Sequence, residues 1–342
     1  MTKNEKAALA FASAGVSLAL AARAMKWVRT IDFRDRSVLI TGGSRGLGLL
    51  IARELAAEGA ALTLVARDQQ ELDRASDDLA SRSRHVLTIT CDVRDREEAS
   101  NAIQTAVHHY GRLDVLINDA GVIQVGPVAH MTLQDFEDAM GVHFWGPLYM
   151  MLAAIPHMRG LGDARIVNIS SIGGKIGVPH LVPYCASKFA LVGLSDAIRP
   201  ELARDGIRVT TVCPGLMRTG SPFNAWFKGQ HRHEFTWFAI SDSLPLLSVD
   251  GTRAARQVIE ACRTGQAELI ITPQARLAVI LNALFPNQIA YAMELVTRVL
   301  PGPTGPEGDE ARSGWQSPSA LAPSILTRLT ERAAAANNEL RG

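Results

Sequence analysis

Hydrophobic residues along the chain alternate between short continuous runs and longer stretches with helical spacing. The short runs are rich in β-branched and aliphatic residues, which is typical of parallel strands covered on both faces. They lie at 38–41, 61–66, 85–90, 114–118, 165–170, 208–213 and 268–272. The helical stretches are 46–58, 68–80, 95–110, 132–159, 183–205 and 251–263. This alternation predicts an α/β fold with a doubly wound, seven-stranded parallel sheet and helices on both faces.

The same pattern divides the chain into segments. All seven strands fall in one domain, residues 31–272, while two apolar-faced helices predict a helical extension over 273–300. That extension could dock on the domain, pair with a second subunit or rest on a membrane. Proline and glycine are frequent after Pro301, so 301–342 is expected to be a linker and a mobile tail.

Residues 7–22 are uncharged and apolar on every side of a helical wheel. As a helix they would span roughly 24 Å, which is short of a bilayer core of about 30 Å. Three interpretations of residues 1–30 stay open: a membrane anchor, a secretory leader, or an alanine-rich helix packed on the protein. In the anchor interpretation, the basic residues at 23–36 place the domain in the cytoplasm, attached to the inner face of the membrane.

Composition excludes several classes of protein. The 342 residues are 47% hydrophobic and 20% charged, with a formal net charge of +1. Such a chain can bury a core, and it lacks the basic excess typical of nucleic-acid binders. Four widely spaced cysteines are too few for a disulfide framework or a zinc site, and we expect them to be reduced packing thiols. No metal is implied.

A glycine-rich turn follows the first predicted strand and precedes a helix, which is where Rossmann-type folds bind a dinucleotide. Backbone N–H groups of such a turn approach the pyrophosphate, and the helix N-terminus adds partial positive charge. The predicted cofactor-binding residues here are Thr41, Gly42, Ser44, Arg45, Gly46, Leu47 and Gly48.

The end of the second strand indicates which dinucleotide is bound. An NAD-dependent enzyme usually has a carboxylate there for the ribose 2′-hydroxyl, but this chain has Ala66 followed by Arg67. Arg45 of the glycine turn can approach the same corner. Two guanidinium groups without a carboxylate suit a 2′-phosphate, so the sequence favours NADP(H) over NAD(H).

Tyr184 and Lys188 lie four residues apart in a helical stretch and therefore share a face. An ammonium group near a phenol lowers the phenol pKa, and a general acid/base works best near the ambient pH. Ser171 follows a buried strand, at the edge of the sheet where substrates bind. These three residues are the candidate catalytic set.

Together, these motifs resemble those of the short-chain dehydrogenase/reductase family. They are TGGSRGLG at 41–48, NDAG at 118–121, NISS at 168–171, the Tyr184–Lys188 spacing and Pro214-Gly215. The resemblance covers roughly 36–272. It implies that Tyr184 exchanges a proton with substrate, that Ser171 orients the reacting oxygen, and that Lys188 holds the nicotinamide ribose and lowers the Tyr184 pKa. The further cofactor contacts that it implies are Asp92, Val93, Asn118, Ala120, Gly121, Pro214, Gly215 and Thr219.

The chain departs from the family pattern at two positions. Asp119 replaces the second asparagine of the usual Asn-Asn-Ala-Gly turn. His143 stands where many members have an asparagine that positions a proton-relay water, and it is a candidate for that role because imidazole can bond a water. The alternative is a structural histidine that is bonded to the backbone.

Substrate selection is expected in the lid, residues 216–250, where six of the 19 aromatic side chains of the chain are concentrated. The lid could cover a lipophilic alcohol or ketone, or it could form a packed subdomain or a subunit interface. The main hypothesis is an NADP(H)-dependent oxidoreductase that forms a homo-oligomer. The competing hypothesis is a non-catalytic NADP(H)-binding redox sensor or membrane-associated scaffold.

Overall fold

The computed structural model describes residues 29–83 and 85–340. Its centre is a seven-stranded sheet in which every neighbouring pair is parallel. In spatial order the strands are β3 (Val86–Thr90), β2 (Ala61–Ala66), β1 (Ser37–Thr41), β4 (Val115–Asn118), β5 (Arg165–Ile169), β6 (Arg208–Pro214) and β7 (Glu268–Ile271). The strand order reverses between β1 and β4, which opens a crevice beyond their carboxyl ends. The predicted Rossmann fold is confirmed.

Helices cover both faces of this sheet. One face carries α1 (Gly46–Ala57), α2 (Gln69–Leu79) and α8 (Gly251–Thr264). The other carries α3 (Arg96–Tyr110), α5 (Gly146–Met158) and α6 (Val182–Leu202). The strands are buried on both sides, which explains their continuous apolar sequences. All four cysteines are buried and unpaired.

The stretch 132–159, which has the periodicity of one helix, is interrupted in the structure. It consists of α4 (Leu133–Met140), a π-helical turn (Gly141–Trp145) and α5. The Gly146 amide donates to the Gly141 carbonyl, a step of five residues instead of four. Pro147 favours this interruption, because it has no N–H to donate to the carbonyl four residues before it.

The lid and the C-terminal segment form a small second core. Phe223, Phe227, Phe235 and Phe238 are all buried, in one cluster with two alanines from the C-terminal segment. The lid contributes α7 (His231–Ser243) and short strands at 216–218, 226–227 and 248–250. The aromatic residues of the lid therefore pack largely on one another, as in the subdomain interpretation. Lys228 is also buried and forms an ion pair with Asp135 at 2.6 Å.

The C-terminal segment differs from the linker and mobile tail that its composition predicts. It includes a short strand at 312–313 and α11 (Arg328–Ala336), with Ala322 and Ala334 buried against the lid. Thr330 Oγ1 donates to the buried carboxyl of Asp242 at 3.0 Å. These contacts use small and polar side chains, so hydrophobic periodicity did not reveal them.

The predicted extension forms α9 (Pro273–Leu284) and α10 (Pro286–Thr297), which pack on each other. Both keep large apolar side chains exposed, including Leu277, Leu284 and Leu295. No helix within 29–83 or 85–340 combines the length and apolar character needed to cross a bilayer. The alternatives for the N-terminal apolar stretch concern residues 1–28, which lie outside the described residues.

Candidate active site

Ser171 and Tyr184 meet at the carboxyl edge of the sheet. Ser171 follows the end of β5 and caps a short turn, where its Oγ accepts a hydrogen bond from the Gly173 amide at 3.1 Å. Tyr184 lies in the first turn of α6, which begins with a proline-containing segment. The two side-chain hydroxyls lie close enough for Ser171 to lower the pKa of Tyr184 as a hydrogen-bonding partner. The structure thus brings a phenol and an alcohol together at one edge of the crevice.

Lys188 lies one turn further along α6, beneath the ring of Tyr184. Its Nζ donates to the Ile169 carbonyl at 2.8 Å and lies 5.7 Å from the centre of the Tyr184 ring. Burial lowers the pKa of Lys188 to about 8, although the Asp119 carboxyl opposes that change. The three predicted catalytic residues are therefore adjacent.

The acidity of Tyr184 differs from the expectation. Burial raises the pKa of Tyr184 to about 12, and the hydrogen bond from Ser171 only partly offsets this effect. Lys188 was expected to lower this pKa, but its Nζ lies 5.7 Å from the ring centre and is bonded to the Ile169 carbonyl, and the effect of burial on Tyr184 is larger. In this structure Tyr184 is a protonated phenol, ready to donate its proton.

His143 does not fit the predicted water relay. Its Nε2 accepts from the Val122 amide at 3.1 Å, and its Nδ1 is 2.8 Å from Ser187 Oγ. Ser187 Oγ donates to the Tyr184 carbonyl, so His143 Nδ1 is the donor in the remaining bond. Burial keeps the pKa of His143 well below 6.5, and the ring packs edge-on against Tyr184. Both ring nitrogens are occupied, which makes His143 a neutral support for the Tyr184 ring.

The glycine turn has the geometry that its sequence predicts. Gly46 has a φ of 56°, a backbone conformation that residues other than glycine rarely adopt. A Cβ at Gly48 would lie 2.2 Å from the Gly42 carbonyl oxygen, so only glycine allows this close packing. Thr41 Oγ1 accepts hydrogen bonds from the Asp119 and Ala120 amides, which joins the ends of β1 and β4.

Asn118 carries a polar atom that suits a cofactor. Its Nδ2 donates to Asn168 Oδ1 at 2.8 Å, but its own Oδ1 is buried without a hydrogen-bond partner. An unsatisfied buried acceptor costs about 1–3 kcal/mol, and a ribose hydroxyl could satisfy it. Burial raises the pKa of the neighbouring Asp119 carboxyl to about 8. Asn168, the first residue of the NISS motif, is a contributor to which the sequence analysis gave no role.

The two arginines predicted to bind a 2′-phosphate have different surroundings. Arg67 is exposed at the end of β2. Arg45 Nη1 lies 2.8 Å from Glu71, and its Nε lies 3.5 Å from Glu339. Glu71 therefore brings a carboxylate to this corner from α2, a contact that the sequence analysis missed. Arg45 is not free in this structure, which leaves Arg67 as the available guanidinium.

The other predicted cofactor residues lie around the same crevice. Asp92 forms an ion pair with Arg94, in which Oδ2 and Nη2 are 2.7 Å apart, and the adjacent Val93 is buried. Gly121 lies beside the ring of His143. Pro214 is the last residue of β6, Gly215 and Thr219 follow it, and Thr219 is buried.

The sequence analysis also missed three C-terminal residues that lie against the glycine turn. The Gly46 amide donates to the Asn337 carbonyl at 2.9 Å. Asn338 Nδ2 donates to the Ser44 carbonyl at 2.8 Å. The Glu339 carboxylate is so close to Gly46 that a Cβ there would lie 2.6 Å from its Oε1. No motif in the sequence marks these residues.

Comparison with known proteins gives one consistent result. Residues 36–225 match the sequence model of the family described as short chain dehydrogenase. The 11-beta-hydroxysteroid dehydrogenase-like 2 protein of Arabidopsis thaliana is 32% identical over 276 residues, which cover 80% of this chain and 85% of that protein. A crystal structure of a short-chain dehydrogenase from Streptomyces avermitilis has 29% identity and a TM-score of 0.64, covering 77% of this chain and 98% of that one. Levodione reductase has 27% identity and a TM-score of 0.61, covering 71% and 99%.

Proposed function

Because the chain belongs to the short-chain dehydrogenase/reductase family, whose members are oxidoreductases that use NAD(P)(H), we propose that it is an NADP(H)-dependent enzyme that interconverts a lipophilic alcohol and its ketone. The observation that carries this proposal is the proximity of the Ser171 and Tyr184 hydroxyls, with Lys188 beneath the Tyr184 ring, at the edge of the crevice. A substrate oxygen placed between these two groups can receive one hydrogen bond from each.

Each residue has a distinct role in this proposal. Ser171, fixed by the Gly173 amide, orients the substrate oxygen. In the reductive direction, the Tyr184 hydroxyl donates its proton to that oxygen, and its raised pKa keeps it protonated beforehand. Lys188 then stabilises the phenolate that remains, because its ammonium group is close and poorly solvated. The nicotinamide, when bound, supplies or accepts the hydride.

The residues around the crevice suit a dinucleotide. The N-terminus of α1 favours phosphate, and the unsatisfied Asn118 Oδ1 can accept from a ribose hydroxyl. The exposed Arg67 supports NADP(H), because a guanidinium group binds a 2′-phosphate bidentately and β2 ends in Ala66 without a carboxylate. Arg45 can join it only after its ion pairs with Glu71 and Glu339 are broken.

The surroundings of Tyr184 support a lipophilic substrate. Tyr184 packs against the second core, together with Val178 and Leu181. Apolar walls with a few polar groups are typical of sites for lipophilic small molecules. The names of two relatives agree with this class, since one refers to a hydroxysteroid dehydrogenase and the other to levodione.

A substrate screen tests the proposal. The purified chain would be mixed with NADPH and lipophilic ketones, or with NADP⁺ and the matching alcohols, while nicotinamide absorbance is followed. We expect turnover of at least one pair, with NADP(H) preferred to NAD(H). Tight NADP(H) binding without turnover of any compound would contradict the proposed enzymatic activity and would favour the sensor or scaffold hypothesis.

A further inference from the structure

Residues 337–339, here called the C-terminal strap, lie where a dinucleotide phosphate would approach α1. The Asn337 carbonyl of the strap accepts a hydrogen bond from the Gly46 amide, and the Glu339 carboxylate lies beside Gly46. Asn337 and Glu339 are both 5% exposed, so this contact is buried. We propose that the strap is an autoinhibitory element, which a dinucleotide must displace before it can bind the glycine turn.

Asn338 fastens the strap to the turn and to α2. Its Nδ2 donates to the Ser44 carbonyl at 2.8 Å and to the Glu71 carbonyl at 3.0 Å. Its Oδ1 accepts from Arg74 Nε at 2.7 Å. Asn338 has a φ of 58°, a backbone conformation that asparagine tolerates better than most residues. This bend turns the chain after α11 towards the crevice.

The strap also bonds to the lid, so it bridges the two sides of the crevice. Asn337 Nδ2 donates to the Thr219 carbonyl at 3.1 Å. Asn224 Nδ2 donates to the Glu339 carboxylate at 2.6 Å and to the Glu339 backbone carbonyl at 2.9 Å. Thr219 and Asn224 both belong to the lid. Release of the strap would therefore free the glycine turn and loosen the lid together.

The Glu339 carboxylate occupies the position in which the glycine turn would bind a phosphate. Its carboxylate lies at the N-terminus of α1, where negative charge is stabilised, and 3.5 Å from Arg45 Nε. A bound phosphate would compete for the Gly46 amide and the same partial positive charge. Because the two anions cannot share that space, dinucleotide binding and strap release are coupled. The apparent affinity for the dinucleotide is then the intrinsic affinity multiplied by the fraction of molecules in which the strap is open.

Two full-length variants test this inference, which rests on the proposed dinucleotide site. Asn338→Gly removes three hydrogen bonds of the strap without changing its charge, and glycine accepts the positive φ. Glu339→Gln keeps the size of the side chain and removes its charge. Isothermal titration with NADP⁺ and with NAD⁺ gives the Kd of each protein. We expect both variants to bind roughly tenfold more tightly than wild type. The exposed Glu294 provides the control Glu294→Gln, whose Kd should equal that of wild type.

Hydrogen exchange provides a readout that does not depend on charge. On addition of saturating NADP⁺ to wild type, amides 330–340 should exchange faster while those of the glycine turn become protected. Weaker binding by the variants, or protection of 337–339, would show that the strap is part of the cofactor site and overturn the inference. Unchanged Kd values would also overturn it, whereas the proposed cofactor would stand. Absence of binding in wild type and in both variants would overturn both.

Discussion

The Nζ of Lys188 donates a 2.8 Å hydrogen bond to the carbonyl oxygen of Ile169, the last residue of β5. Ser171 lies two residues beyond that carbonyl, so one strand end positions both the ammonium and the alcohol of the candidate site. A single carbonyl cannot fully replace the water that a lysine loses on burial, and the pKa of Lys188 falls to about 8 for that reason.

We expect the buried ammonium group of Lys188 to lower the free energy of unfolding at neutral pH. This destabilisation should become smaller as the pH rises. Burial holds its pKa at about 8, below the ordinary 10.5, so between these values the unfolded chain binds more protons. The stability of wild type relative to Lys188→Met should therefore rise by up to about 3 kcal/mol from about pH 7 to about pH 10. Urea denaturation of both proteins at each pH measures this change.

Lys175→Met is the matched control for this experiment. The ion pair with Glu268 raises the pKa of Lys175 above 10.5 despite its partial burial. Lys175 therefore stays charged in folded and unfolded chains across that pH range. The stability difference between wild type and Lys175→Met should therefore not change with pH in that range. An equal change in both variants would contradict the assignment of the pH dependence to Lys188.

Tyr184→Phe should abolish turnover and leave dinucleotide binding unchanged. The substitution removes the proposed proton donor while keeping the ring that packs against His143. Loss of a positioned general acid typically lowers kcat by about 10²- to 10⁴-fold. The measurements are nicotinamide absorbance for turnover and titration calorimetry for the Kd. The exposed Tyr291 gives the control Tyr291→Phe, which should match wild type. Full activity of Tyr184→Phe would refute the proposed mechanism.

His143→Asn should destabilise the fold at neutral pH, because the shorter side chain cannot reach both the Val122 amide and Ser187. Unsatisfied buried groups cost about 1–3 kcal/mol. The folded pKa of His143 lies well below 6.5, so wild type loses stability as the pH falls through the unfolded value. The difference from the variant should therefore shrink as the pH falls from about 7 to about 5. Denaturant unfolding measures it, with the exposed His108→Asn as the control.

Arg67→Ala should weaken NADP⁺ binding about tenfold and change NAD⁺ binding little, since only NADP⁺ carries the 2′-phosphate. Arg96→Ala removes an equally exposed charge from the start of α3 and serves as the control. Calorimetric Kd values for both cofactors decide the outcome. A parallel loss of affinity for NAD⁺ would show that Arg67 acts through general electrostatics and does not select NADP(H).

Local patterns in the sequence were sufficient to predict the sheet and the adjacency of the candidate catalytic residues Tyr184 and Lys188. The buried strands have continuous apolar runs, and the four-residue spacing of Tyr184 and Lys188 places them on one helix face. The acidity of these groups could not be predicted in the same way. The pKa of Tyr184 depends on burial beneath elements that are distant in sequence, and the neutrality of His143 depends on its burial and on the charge of Lys188.

Contacts between distant segments account for what the sequence analysis missed. Asn338 and Ser44 are 294 positions apart, and their hydrogen bond uses a side-chain amide and a backbone carbonyl. Neither group leaves a periodic signal in a single sequence. Glu71 likewise looks like an ordinary acidic residue in the first turn of a helix, and only the fold brings it to Arg45.

The π-helical turn at Gly141–Trp145 contains one residue more than an α-helical turn would, so it absorbs a surplus residue between α4 and α5. Deleting one residue from this turn would convert it to an ordinary α-helical turn and leave α5 in nearly the same orientation. Deleting one residue near the start of α5 would instead rotate the rest of that helix by about 100°, and Met150 and Met151, which are fully buried, would move away from the strands that they cover. A single-residue deletion is therefore far more tolerable in the turn than in the helix that follows it.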